Sequence, residues 1–458
     1  MMGLSYGAVA KSTQKKQQGA SGEDACCRLV MSRSLVDPLF QDLTSSHRYY
    51  LSYFASSLFK DLVIYDTPNY NPLRDLIPMS GEHAVLRYIM IASSALHISN
   101  VSRKANSSLT KTPTYSSAMI SSQSMEHASP TSYRDGLIAK QRALQLLSTA
   151  LNDMRTELVD IALATVLLFI ECDLLDSGNN DWRFHINGAR TIIGTLGQHS
   201  KLGDVKMSSL RRCLISNCLV YDIFGSVSTC PKLLETPQSI RFDITPLLRF
   251  AEANNYLSCP AVLLQTLLAA SQISRNLPNE LASNETFKVA KERTEALLWT
   301  TQSFDPLSWA TELQKISPQY DLDSRIHIAS AHKAAVCIYI SRILLSFSPN
   351  SESYENFEPL VSDIILHLSF ISQEDPLYKS ITWPTFVAGA ETRDPERQAW
   401  AMTRLHQLWG ILLWGYTRNI MGVLAGVWEK RVTPVGPGSS ALDWIQDLMT
   451  LEFDCLIA

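Results

Sequence analysis

Apolar residues recur at three- and four-residue spacing along most of the chain, a period that predicts amphipathic helices. The stretch from Trp383 to Trp428 shows the pattern best. Asp394 followed by Pro395 predicts a helix start, because the carboxylate accepts orphan backbone N–H groups and proline at the first helical position forfeits no hydrogen bond. Glu396 adds negative charge at the positive end of the helix dipole. Downstream, Ala399, Met402, Leu405, Trp409, Leu412 and Tyr416 mark one apolar face that must be buried. Trp383 and Pro384 open an apolar run to Ala390 that predicts an earlier helix close by. Ile420, Val423, Leu424, Val427 and Trp428 predict another after Gly415. Tryptophans in these positions read as core packing rather than as a ligand cage.

The same reading extends over the rest of the chain. His47, Tyr50, Leu51, Phe54 and Leu58 keep helical spacing, and the turn residues of TPNYNP predict an end near Asp66. A strongly apolar helix is expected from about Glu82 to Ser99. Between residues 100 and 132 serine, threonine and lysine replace periodic apolar content, which predicts a disordered loop open to phosphorylation. Leu137, Lys140, Leu144, Leu147 and Leu151 resume a helix. The run after Asp160 is apolar nearly all round, but its uninterrupted part ends at Glu171, short of the about 20 residues that cross a bilayer. It reads as a central buried helix, with no membrane span. The middle of the chain alternates helical segments with polar connectors, clearest at residues 213–224, 260–273, 287–300 and 324–347. No period-two alternation and no fixed repeat is present. The expectation is an all-α fold, a large irregular domain of packed antiparallel helices over residues 38–458, preceded by a flexible arm over residues 1–37.

Composition sharpens this picture modestly. With 458 residues, 46% of them hydrophobic, the chain has material for a sizeable core. A net charge of -4 gives no overall attraction to nucleic acid or anionic membrane, so such a contact needs a local patch. Nine cysteines, odd in number and scattered, do not form a disulfide framework; Cys172, Cys213 and Cys337 sit in apolar helical surroundings and read as buried thiols of an intracellular protein. Residues 1–36 contain no apolar signal core. Their Lys11, Lys15 and Lys16 read as solvated charges, with a nuclear import signal as the alternative.

Candidate chemistry is sparse. Gly3, Ser5 and Gly7 satisfy G-x-S-x-G, but a nucleophile elbow needs a preceding strand and only two methionines come before it. Asn100, Asn106 and Asn284 head glycosylation sequons that mean nothing without a secretory route. Cys213 and Cys218 are five apart, as are His327 and His332, a poor spacing for two ligands on one helix face. No phosphate loop or dinucleotide fingerprint appears. Glu171, Asp173 and Asp176 are the one acidic cluster with a spacing suited to magnesium and a diphosphate, as in an isoprenoid cyclase, but a second metal motif is missing. His185 and Arg183 suggest an acid and an anion binder. A helix beginning near Asp181 instead places Trp182, His185, Ile186 and Ala189 on one side, with Arg183 and Arg190 free to pair with Glu171 or Asp173. That structural reading is preferred, and no catalytic residue, cofactor or metal ligand is assigned.

Three segments carry a family resemblance. The first comprises Trp383, Pro384, Phe386, Val387, Ala388, Gly389, Glu391, Asp394, Pro395, Leu408 and Trp409; the second is DWRFHINGARTII, from Asp181 to Ile193; the third is the series Val63 to Asp66, Asn71 to Pro78 and Ser94 to His97. In these the chain resembles the fungal-specific transcription factor domain, whose members usually carry an N-terminal zinc binuclear cluster. The resemblance implies a transcriptional regulator rather than an enzyme, located in the nucleus, forming a homodimer or binding a protein partner, and controlling metabolic or secondary-metabolite genes. One departure stands out. The zinc cluster needs six cysteines in a compact pattern, and before Pro38 the chain has only the adjacent Cys26 and Cys27. Contact with DNA is therefore expected to be indirect or to depend on a missing N-terminal module. A helical interaction scaffold, or less favoured an all-α magnesium-dependent enzyme, is the alternative.

Overall fold

The computed structural model describes residues 42–66, 71–109, 130–151, 158–179, 181–199, 207–228, 242–276, 284–319, 321–347, 356–432, 444–450 and 455–458. Among them there is no β-sheet; the regular elements are α-helices and short 3₁₀ turns, with isolated bridges joining Val63 to Asn255 and Asn179 to Cys455. The expected all-α architecture is the observed one. The arm over residues 1–37, with Cys26 and Cys27, lies outside the described residues.

Helices α1 (Ser45–Ser56), α2 (Leu76–Glu82), α3 (Ala84–Leu109), α4 (Pro130–Leu151), α5 (Val159–Asp176), α6 (Trp182–His199) and α7 (Ser209–Ser228) form one neighbourhood. In it α3 packs on α1, α4 and α5, and α5 packs on α6 and α7. A second neighbourhood holds α8 (Thr245–Asn254), α9 (Ala261–Arg275), α10 (Asn284–Ser303), α11 (Pro306–Ile316), α12 (Leu322–Ser346) and α13 (Glu358–Ser369), where α12 touches α9, α10, α11 and α13. Finally α14 (Thr382–Glu391), α15 (Pro395–Leu412), α16 (Gly415–Val432) and α17 (Trp444–Thr450) join the two, α14 resting on α12 and α16 on α5.

Three helices are buried for a reason written in their composition. Every residue from Ile161 to Leu175 of α5 is buried, as a helix apolar on all sides requires. Residues 84–105 and α12 are long and apolar enough to cross a membrane, yet most of each is buried among other helices of this fold. Three Asp-Pro pairs start elements in the same way: Asp305, Asp375 and Asp394 accept from the backbone N–H groups of Leu307, Leu377 and Glu396 at 3.1, 2.8 and 2.9 Å, and each following proline fits where no N–H is needed.

Three expectations need correction. The buried face of α15 is Ala401, Leu405, Leu408, Trp409 and Leu412, whereas Ala399 is exposed and Met402 half-buried. Ala399 carries too little apolar surface to orient a helix, and Tyr416 belongs to α16. The first helix ends at Ser56, and the chain reaches Asp66 through a 3₁₀ turn over Leu58–Asp61 that buries Leu58 and Phe59. The loop expected over residues 100–132 is helical at both ends, because α3 runs on to Leu109 and α4 begins at Pro130; residues 110–129 lie outside the described residues. Tertiary bonds override the weak local signal there. Asn100 is buried, Ser102 donates to the Ile98 carbonyl at 3.0 Å, and Lys104 donates to the Gly410 carbonyl.

Candidate functional site

The segments singled out in the sequence meet where helices end. The Asn100 side chain donates to the carbonyls of Leu175 and Leu413 at 2.8 and 2.9 Å, tying α3 to the ends of α5 and α15. His97 Nε2 lies 2.9 Å from the Leu412 carbonyl, which can only accept, so Nε2 carries the proton and Nδ1 accepts from the Tyr53 hydroxyl at 2.8 Å. Burial holds the His97 ring below its ordinary pKa. Asn419 donates to the Ser177 carbonyl at 2.5 Å. These side chains satisfy carbonyls that the helix ends leave without partners.

Backbone geometry makes the junction tight. Leu413 closes α15 in the left-handed region at φ 57°, a helix-ending conformation that glycine usually takes. Gly178, after α5, has φ 71°, and a side-chain carbon on it would meet Tyr416 Cβ at 2.7 Å. The buried residues 455–458 lie over the junction: Leu456 N–H donates to the Gly178 carbonyl at 3.2 Å, and the Tyr416 hydroxyl donates to the Ala458 carbonyl at 2.8 Å.

The Asp181 to Ile193 segment forms α6, with Trp182 fully buried against Gly225 of α7 and Ile186 and Ala189 buried on the same side. His185 stacks on Phe169 with ring centroids 4.7 Å apart, and its Nε2 is 3.5 Å from Asp173. Burial, aided by the nearby Lys140 charge, lowers His185 to about 4, so the ring is neutral at ordinary pH. Asp173 is instead bonded by Lys140 of α4 at 2.6 Å; burial raises the carboxyl to about 7 against the pull of that ammonium. The pairing proposed for Arg190 also differs. Its guanidinium grips Asp222 of α7, with Nε 3.0 Å from each carboxylate oxygen. Arg183 lies with its guanidinium carbon 5.9 Å from the Trp182 ring.

The acidic cluster on α5 is split by its surroundings. Glu171 is buried on the side of Cys213, Cys218, Tyr221 and Tyr256, and burial raises it to about 8. Asp173 and Asp176 face the Lys140 side, where burial raises Asp176 as well. Among the described residues no group of three or more His, Cys, Asp or Glu side chains converges on a metal position. Glu391 of the closing signature pairs with buried Arg342 of α12, and fully buried Arg325 pairs with Asp321 at 2.6 Å.

His327 and His332, weighed together in the sequence, part company. His332 is fully buried and stacks against Trp383 at 6.0 Å, and burial lowers it to about 4. His327 faces His367 of α13. Cys172, Cys213 and Cys337 are all buried free thiols, and burial raises each; Cys213 reaches about 12 and Cys337 about 11. An open cavity of about 750 Å³ lies between α9 and α10, lined by Gln272, Ile273, Asn276, Val289 and Arg293 among others. It contains none of the signature residues. His97, Arg190 and Glu391 of the signatures each bond to a different helix from their own. The pairings made by Lys140, Asp222 and His367 escaped sequence reasoning because each joins two different helices.

Residues of all three signature segments thus meet at junctions between helices. The chain matches the fungal specific transcription factor domain over residues 49–455 and belongs to that family. It is similar to the acriflavine sensitivity control protein acr-2 of Neurospora crassa, at 31% identity over 437 residues that cover 92% of this chain and 69% of the relative. No solved structure matches it.

Proposed function

We propose that this chain works as the regulatory body of a nuclear transcriptional regulator that controls a metabolic or secondary-metabolite gene set. The observation that carries the reading is the family match across 49–455, nearly the whole of the described fold. The burial of the signature tryptophans, the pairing of Glu391 with Arg342 and that of Arg190 with Asp222 support a scaffold whose output is a surface presented to other proteins, not a reaction. The chain acts as a homodimer or with a protein partner. It reaches DNA indirectly or through an N-terminal module outside this sequence, since Cys26 and Cys27 do not supply a six-cysteine cluster.

A second choice of target genes draws on the name of the relative, which connects that protein with control of acriflavine sensitivity. Deleting the gene and profiling transcripts tests both. Coordinated change in a biosynthetic or catabolic set supports the first choice, change in drug-sensitivity genes with altered growth on acriflavine supports the second, and an unchanged transcriptome contradicts regulation.

A further inference from the structure

His327 of α12 and His367 of α13 come from helices that pack side by side, and their Nδ1 atoms are 3.0 Å apart. We propose that these two imidazoles form a binding site for a divalent transition-metal ion of the nitrogen-preferring class, with Cu²⁺ the tightest, that clips α12 to α13.

The separation matches coordination chemistry. Metal–imidazole bonds of about 2.0–2.1 Å place two neighbouring nitrogens of a square or octahedral site about 2.9 Å apart, and of a tetrahedral site about 3.3 Å apart. The two Nδ1 atoms therefore already span one edge of a coordination polyhedron. The His327 ring stacks on Phe370 with centroids 4.4 Å apart and planes 13° apart. Both histidines are half-buried, so an ion and its remaining water ligands can reach them from solvent.

Charge favours a cation here. Asp323 precedes His327 by one helical turn and Asp363 precedes His367 in the same way, and both carboxylates are exposed and act on the imidazole beside them. Neutral imidazole is the form that binds metals. Without metal, one Nδ1–H donates to the other Nδ1. Binding requires the donor ring to move its proton to Nε2 and the two rings to turn so that their Nδ1 lone pairs, which point at one another across the hydrogen bond, converge on the ion, with no net proton released. Water completes the coordination shell. The spacing of His327 and His332 along one helix conceals this arrangement, because the second ligand lies forty residues away on α13.

The test is calorimetric titration of the full chain with Cu²⁺, Ni²⁺ and Zn²⁺ salts in a non-coordinating buffer near neutral pH. The expected result is one high-affinity equivalent, tightest for Cu²⁺ in keeping with the Irving–Williams order. His327→Asn and His367→Asn should each weaken it by about tenfold or more, while exposed His406→Asn leaves it unchanged. Spectra of the Cu²⁺ form should report two coordinated imidazoles. Circular dichroism of each variant establishes that it is folded; if one is not, His327→Gln or His367→Gln replaces it. Equal binding by wild type and a folded variant lacking both histidines overturns the proposal, as does equal loss in His406→Asn.

Discussion

The backbone of Gly415, at the start of α16, packs directly against the carbonyl of Asp176 at the end of α5, leaving no space for a side-chain carbon. The helices that flank two signature segments are thereby joined backbone to backbone. Gly415→Ala should force the helices apart and cost about 3 kcal/mol or more, as overpacking at a rigid contact does. Urea unfolding of the variant measures this. A change within about 0.5 kcal/mol, the range of an ordinary surface substitution, would remove the α5–α16 junction from the account.

Trp182 and Trp409 test the packing reading of the signatures. Trp182 is fully buried against α7, and Trp409 is buried on α15 with the Arg418 guanidinium carbon 5.5 Å from its ring. Truncation of either to alanine should cost about 3–5 kcal/mol. Thermal denaturation indistinguishable from wild type in either variant would contradict its placement in the core.

Glu171 gives the protein a defined pH dependence. Burial raises its folded-state pKa to about 8, above the ordinary 4.5. Its contribution to stability is complete below the ordinary value and is lost as pH rises through about 8, because the folded chain keeps a proton that the unfolded chain releases. The linkage slope approaches about 1.4 kcal/mol per pH unit inside that window. Wild type should therefore lose stability relative to Glu171→Gln as pH is raised from 5 toward 8 (about three decades of proton activity). Parallel stability curves for the two proteins would show that Glu171 is not held protonated.

Direct DNA binding is expected to be absent from this chain. Arg190 is occupied by Asp222, and the net charge of -4 supplies no general attraction to phosphate. A mobility-shift titration of the purified chain on promoter fragments should show only weak, salt-sensitive binding that competitor DNA removes. A tight, competitor-resistant shift would overturn this expectation.

The legible part of the fold is the part governed by neighbours along the chain. Asp394 and Pro395 announce α15 because a cap is a contact with the next two residues, and the apolar run after Asp160 announces α5 because its period is local. The helical course of residues 100–109 is set by Asn100 reaching Leu175 and Leu413, partners that no window around residue 100 contains. The same limit hides Asp222 from Arg190, Asp173 from Lys140 and His367 from His327. Segment order carries the family, whereas the ion pairs that assemble its signatures depend on which helices become neighbours.

The most direct test tethers residues 42–458 to a heterologous DNA-binding domain in a fungal host carrying the matching reporter. The expected result is a reproducible rise or fall in reporter transcription that disappears with Gly415→Ala or Trp182→Ala at equal protein level. A well-expressed, nuclear fusion that leaves the reporter unchanged would contradict the assignment of a regulatory body to this fold.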